Sequence, residues 1–281
     1  MKITLKRVVK AMIPQGVFYV YSKIKNNVSS NLYQFKIDPK CMITGWMEPA
    51  HVKIDLDIND WIQKQIFYNG MYEKDTVMKL NELLPEDGVF FDIGSNIGVY
   101  SLNMFRKAKS VYAFEATKTT HDKLNKIITD NEIKNIHLYF NALDDKDDKE
   151  VSIFLSDESN NGANSMFNGK MLANKVKTIT LDTFIERNKI SSIDIIKIDI
   201  EGNELYALKG AINGIKQFRP IIFCEINPEL NKKAGYTSKE LYNFIVKELK
   251  YEAKILSGNH FRKISILKAT LKQRNIFFFP L

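Results

Sequence analysis

Cysteine is scarce in this chain. Cys41 and Cys224 are the only two among 281 residues, and they have neither a Cys-x-x-Cys spacing nor a metal-ligand pattern around them. That excludes a disulfide framework, a zinc ribbon and a thioredoxin-like redox pair. A chain of this length buries enough apolar surface to fold without staples. Cys224 falls in the apolar run Ile221 to Ile226 and reads as a small core hydrophobe. Histidine is also scarce. His51, His121, His137 and His260 have no ligand or triad partner at a diagnostic spacing. No apolar run reaches the roughly 20 residues of a membrane span. No secretory leader is visible over Met1 to Pro14, and the expected compartment is the cytoplasm. Internal repeats and low-complexity linkers are absent.

What the chain has in excess is positive charge, a formal net of +8. The lysines are spread rather than gathered into one strong patch, so no nucleic-acid partner is expected. The start is different. Lys2, Lys6, Arg7, Lys10, Lys23 and Lys25 are interleaved with Val8, Val9, Met12, Ile13, Val17, Phe18, Val20 and Ile24. This is the composition of a basic amphipathic segment. It is compatible with weak contact at the inner membrane face, with docking on its own domain, or with a second copy in a homo-oligomer. Residues 1–75 read as a lead-in that serves the substrate or an oligomer contact, and 76–281 as the main domain. The lead-in holds an alternating strand, Val52 to Ile58, and a helix from Trp61.

From Val89 onward, short apolar strands alternate with helices. Strands are expected at Val89–Phe91, Ser110–Phe114, Asn135–Phe140, Glu150–Leu155, Val176–Ile179, Ile193–Ile200, Pro220–Ile226, Tyr251–Leu256 and Ile276–Phe279. Helices are expected at Val99–Ala108, from Thr117, at Leu181–Arg187, Asn203–Phe218 and Ser238–Leu249. This alternation predicts an α/β fold with a mostly parallel sheet and helices on both faces. In such sheets the ligand lies outside the carboxyl ends of the strands.

Charged residues stand where these strands stop. The first stops at Asp92 and continues Ile93-Gly94-Ser95-Asn96-Ile97-Gly98. Its glycines allow a tight turn and close approach of a ligand to the backbone. The second stops at Glu115, about twenty residues on, where an acid accepts from both hydroxyls of a ribose. Asn96 occupies the place of the middle glycine of the dinucleotide fingerprint, where a pyrophosphate meets the backbone. A phosphate-free cofactor with a ribose and a cationic sulfonium, S-adenosylmethionine (SAM), fits better than NAD. Asn141 and Ala142 close the third strand, where an adenine would lie. The acids beyond them, Asp144 to Asp148, read as a solvated loop. Lys197, Asp199 and Glu201 follow at period-two spacing and share a strand face. Three ionisable groups there are costly unless they pair or bind something. They read as a site, with a Lys197–Asp199 or Lys197–Glu201 ion pair as the alternative.

The segments Phe91–Gly98 and Ile198-Asp199-Ile200-Glu201-Gly202-Asn203-Glu204 together resemble the signature of FkbM-type methyltransferases. Gly70-Met71-Tyr72-Glu73, Thr180-Leu181-Asp182, and Pro220 with Glu225 are also similar. The likeness covers roughly residues 68 to 230 and extends weakly to Phe279. Ser95 departs from the Gly-Ala-Asn that is commoner in the family, and Ala116 stands where many relatives have proline. The resemblance implies a class I, Rossmann-like methyltransferase fold and transfer of a methyl group from SAM to a hydroxyl of a sugar or other small molecule. It implies that Asp92, Gly94, Asn96, Glu115, Asn141 and Ala142 hold SAM, with Glu73 reaching its amino acid tail. Ser95, Gly98, Ala116 and Asp199 complete the candidate cofactor set. The candidate bases are Asp199, then Glu201, then Glu225. Lys197 either lowers a hydroxyl's pKa or neutralises the carboxylates. Asp199 and Glu201 could alternatively share a Mg²⁺, but the ligand set is incomplete in sequence and no metal is expected. Methylation of nitrogen in RNA or protein, an NAD-dependent oxidoreductase and a non-catalytic binding module are the competing readings.

Overall fold

The computed structural model describes residues 42–57, 59–155, 165–167 and 171–281. The basic start from Lys2 to Lys25 and Ile58 lie outside the described residues, as do 156–164 and 168–170 of the stretch 156–175, which is expected to shape the acceptor pocket through a polar lid or surface loop, Ser159–Ser165.

A hairpin of β1 (Met42–Met47) and β2 (Val52–Asp57) comes first, then helices Trp61–Asn69 and Lys74–Leu83. The central sheet is built from β3 (Gly88–Ile93), β4 (Ala108–Phe114), β5 (Ile136–Tyr139), β9 (Ile195–Ile198), β10 (Ile221–Ile226), β11 (Tyr251–Ser257), β12 (His260–Lys263) and β13 (Arg274–Pro280). Its order is β12-β11-β13-β10-β9-β3-β4-β5. The block from β10 to β5 is parallel throughout. β13 runs against both β10 and β11, and β12 runs against β11. A three-stranded sheet of β6 (Ala142–Leu143), β8 (Met171–Ile179) and β7 (Glu150–Leu155) sits to one side. This is the expected class I methyltransferase architecture, a mostly parallel sheet between helices.

The sheet sorts its side chains by the period of the pleat. Phe91, Ile93, Ile196, Ile198, Ile222 and Cys224 pack under helices Leu181–Arg187, Glu204–Lys209, Ile212–Phe218 and Ser238–Asn243. Phe90, Ile195, Phe223 and Phe277 face the other way, onto the β1–β2 hairpin, Leu80 and the stripe Leu124, Ile127 and Ile128 of helix Lys118–Asp130. Every residue of β3 and β9 is buried, as interior parallel strands require. Asp92 and Lys197 each follow by two a residue of the second face, so both charges point into that layer.

Some elements differ from expectation. The helix expected over Val99–Ala108 is one turn, Ser101–Met104, because Ala108 already begins β4. The helix expected over Asn203–Phe218 is two, Glu204–Lys209 and Ile212–Phe218. A Cβ on Gly210 would lie 2.2 Å from the Asp144 carbonyl oxygen. Beyond that close approach the Asp182 carboxylate accepts from Asn213 N at 3.0 Å and Gly214 N at 2.7 Å, restarting the helix. The run expected as one helix to Leu249 ends in a π-helical turn, Phe244–Glu248. The acidic stretch after Leu143 is not merely solvated. Asp144 is buried against Lys149, and Asp147 accepts from Thr180 N at 2.7 Å and Thr183 Oγ1 at 2.7 Å.

Candidate active site

The strand order reverses between β3 and β9, and their carboxyl ends form one side of a cleft. β3 ends at Ile93 and the chain turns through Gly94 with φ +79°. Gly94 N and Ser95 N both donate to the Phe114 carbonyl, at 3.0 and 2.9 Å. A Cβ on Gly94 would sit 1.9 Å from the Asp199 carbonyl oxygen. Asn96 follows with φ +50°. Gly98, at φ +86°, serves packing, since a Cβ there would lie 2.5 Å from Leu124 Cδ1.

Glu115 leaves the end of β4 buried at the cleft. One carboxylate oxygen accepts from Asn96 N at 2.8 Å and the other from Thr117 N at 2.8 Å. Burial raises its pKa, and these backbone donors oppose the rise. Each oxygen keeps a further lone pair for a ligand.

Beneath the loop, Asp92 and Lys197 face each other across adjacent strands, in register. Lys197 Nζ lies 3.3 Å from Asp92 Oδ1 and donates to Gly94 O at 2.6 Å and Ile93 O at 3.3 Å. Asp92 Oδ2 accepts from Ser101 N at 3.0 Å and Ser101 Oγ at 2.6 Å. Burial works against the charge on Lys197, but Asp92, Asp199 and Glu73 outweigh it and hold its pKa above the ordinary value. This buried pair ties the glycine turn, β9 and the first helical turn together. The expected alternative partners of Lys197, Asp199 and Glu201, form no ion pair with it among the described residues.

Asp199 and Glu201 leave the end of β9, and other acids gather beside them. Glu225 at the end of β10 accepts from Gln273 Nε2 at 2.6 Å. Glu73 accepts from the Tyr100 hydroxyl and from Asn275 Nδ2, the latter at 3.1 Å. Burial first, then the neighbouring acids Asp199 and Glu204, pushes Glu201 up to about 8. Burial and Asp199 likewise push Glu225 up to about 9. Tyr72, half-buried beside Glu73 and Asp199, is raised to about 12. Among the described residues no three His, Cys, Asp or Glu side chains are grouped to hold a metal ion.

Of the residues singled out in the sequence, Gly94, Asn96, Glu115, Ala116, Asn141, Ala142, Asp199 and Glu201 line one cleft. Asp92, Ser95, Gly98, Lys197, Glu73 and Glu225 stand behind or beside its wall. Leu143, Ile153 and Asn203 also line it and were not anticipated; Ser165 and Met166 line it too, and belong to the stretch 156–175 expected at the acceptor pocket. Asn203 could have been found, because it lies inside the Ile198–Glu204 motif. Its Nδ2 donates to Leu143 O at 2.7 Å and joins two walls of the cleft. Nothing local marks Ile153, which arrives with the small sheet.

Residues 92–253 match the Methyltransferase FkbM domain. The chain belongs to the FkbM methyltransferase family. It is 30% identical over 150 residues to the hexuronic acid methyltransferase AglP of Haloferax volcanii, covering 53% of this chain and 61% of that protein. The chain therefore spans less than two thirds of that relative. Among solved structures, an FkbM methyltransferase from Methylobacillus flagellatus KT is similar at a TM-score of 0.47 with 16% identity, over 78% of this chain and 52% of that one. An rRNA methylase from Streptococcus thermophilus is similar at 0.44 with 11% identity, over 73% and 94%.

Proposed function

We propose that this methyltransferase takes its methyl group from SAM and delivers it to a hydroxyl oxygen of a sugar or glycan. The observation that carries the cofactor reading is Glu115, held by Asn96 N and Thr117 N with lone pairs left over at the cleft. That is an acceptor pair for ribose hydroxyls. The acids Asp199 and Glu201 in the same cleft suit a cation better than a pyrophosphate, which favours SAM over NAD. Asn141 and Ala142 are assigned to the adenine, Gly94 and Asn96 to close backbone approach, and Glu73 to the amino acid tail. The sugar acceptor is supported by the name of the Haloferax relative, a hexuronic acid methyltransferase.

SAM, when bound, supplies an electrophilic methyl carbon on a sulfonium. The chain's own task is to align an acceptor oxygen with it and to manage one proton. Alignment alone can lower the barrier by about 7–11 kcal/mol. A positioned base adds about 10²–10⁴-fold. Asp199 is assigned that role first, since it lines the cleft, with Glu201 and Glu225 behind it. Glu201, raised to about 8, holds its proton at neutral pH until a nearby cation lowers it. Lys197 is assigned to neutralising Asp92 and fixing the loop, because its donors are already engaged. Residues 76–281 are taken as the catalytic domain, and the lead-in 1–75 as the segment that shapes the acceptor or oligomer contact.

Calorimetric titration of the purified chain with SAM tests the cofactor, and absence of binding at millimolar SAM would sink it. Mass-spectrometric comparison of surface glycans with and without the gene tests the acceptor. A missing methyl ether on one sugar is the expected difference.

A further inference from the structure

Glu204 closes the motif that begins at Ile198, and the scheme above gives it no task. It is 2% exposed. Among the described residues no lysine or arginine forms an ion pair with it. Its Oε1 accepts from Ile200 N and Gly202 N, both at 3.1 Å. Its Oε2 lies 3.1 Å from the Tyr236 hydroxyl and 3.5 Å from Asn231 Nδ2. The same hydroxyl is 2.9 Å from Gly202 O and receives Asn231 Nδ2 at 2.9 Å. Asn231 Oδ1 in turn accepts from Ser238 Oγ at 2.7 Å.

Counting protons decides how these contacts are made. A phenol has one proton to give. With Glu204 ionised, Tyr236 must choose between Glu204 and Gly202 O, so either Gly202 O loses its hydroxyl or Oε2 keeps only the long 3.5 Å contact from Asn231 Nδ2. With a proton on Oε2, Glu204 donates to Tyr236, Tyr236 donates to Gly202 O, and each of these groups has its partner. We infer that Glu204 is a neutral carboxylic acid that acts as a positioning residue. Its O–H donates to the Tyr236 hydroxyl, which donates to Gly202 O, and this chain of hydrogen bonds sets the shape of the turn from Asp199 to Asn203.

That turn needs an external hold. Glu201 and Gly202 have φ +53° and +112°, a left-handed path that a free chain avoids. Asp199, Ile200, Glu201 and Asn203 on it all line the cleft, so its shape is the shape of the cofactor wall. The groups around Glu204 favour the neutral form. Burial raises its pKa against the pull of the Gly202, Glu204 and Ile200 backbone N–H groups, and Asp199 raises it further. Glu201 from the turn, Glu225 and Cys224 from β10, and Tyr236 also face it, and none is a cation. Lys197 on β9 is held by Asp92.

The test uses the whole chain and the variants Glu204→Gln, Glu204→Ala and Tyr236→Phe. Only its binding arm rests on the SAM reading; the infrared arm does not. A glutamine can donate to Tyr236 and accept the two backbone N–H groups, so Glu204→Gln is expected to bind S-adenosylhomocysteine within about twofold of the parent. Glu204→Ala and Tyr236→Phe are expected to weaken it by about tenfold or more while still melting cooperatively. Toward alkaline pH the affinity of the parent is expected to fall more steeply than that of Glu204→Gln. The infrared difference between the parent and Glu204→Gln should contain a protonated-carboxyl carbonyl band. Absence of that band, or a Glu204→Gln variant as weak as Glu204→Ala, overturns the inference. If the parent itself fails to bind, the cofactor reading falls and the carbonyl band still decides the state of Glu204.

Discussion

The carbonyl oxygen of Asp199 occupies the space that a side chain on Gly94 would need, with 1.9 Å between the oxygen and the Cβ position. The two strand ends that build the cleft are thereby in direct backbone contact. The glycine is needed both for this approach and for its φ of +79°.

Gly94→Ala is therefore expected to push the turns after β3 and β9 apart. Overpacking of this kind costs about 1–3 kcal/mol, with the strained φ adding to it. Urea unfolding should report that loss, and SAM affinity should fall by more than tenfold. Unchanged SAM affinity would show that the contact is incidental to the site.

Asp92 and Lys197 form a buried pair whose partners depend on each other. Lys197→Met leaves Asp92 uncompensated and should destabilise the chain by about 3–5 kcal/mol. Adding Asp92→Asn to Lys197→Met should recover part of that loss, because the stranded charge goes too. Denaturant midpoints of the two singles and the double separate this from simple additivity.

Glu115 offers both oxygens to backbone donors. In Glu115→Gln the amide NH₂ must face either Asn96 N or Thr117 N, donor against donor. A lost charged hydrogen bond is worth about 1.5–3 kcal/mol, so SAM affinity should drop by about 10–100-fold. Isothermal titration measures it directly, and an unaffected dissociation constant would remove Glu115 from the cofactor site.

The acids near Asp199 should also leave a mark on stability. Glu201 and Glu225 are raised from 4.5 to about 8 and about 9 in the folded chain. Above their unfolded pKa the unfolded chain has released protons that the folded one retains, so stability falls as pH rises. The loss begins near the unfolded value and levels off once both folded groups have ionised. Melting temperatures across that window should decline, and Glu225→Gln should flatten the decline. A flat profile in the parent would mean that these carboxyl groups ionise freely. Because a cation favours their ionised forms, binding of SAM should also release protons, seen as a calorimetric heat that depends on the buffer.

Much of the site could be read from local sequence. Asp92, Gly94 and Glu115 stand where apolar runs stop, and a parallel sheet places such residues at one edge. Pairing was less legible. Lys197 looked like the partner of Asp199 or Glu201, its neighbours at period two. Its partner is Asp92, 105 positions earlier, because β9 lies beside β3 and their residues are in register. The single helix expected from Asn203 is broken for a similar reason. The Asp144 carbonyl and the Asp182 carboxylate, both distant in sequence, reach that stretch only in the folded chain.

The class of fold and the position of the glycine loop are legible locally, since the period of the apolar runs and the demand for glycine at a left-handed turn are properties of neighbouring residues. Tertiary structure alone decided which charges neutralise each other, which acids crowd together and who carries the proton. Lys197 is bonded into the scaffold, to Asp92 and the Gly94 carbonyl. Glu204, unassigned in the motif, became the residue that holds the cleft wall. Burial and cross-strand distance set the cost of a charge, and neither exists until the strands are side by side.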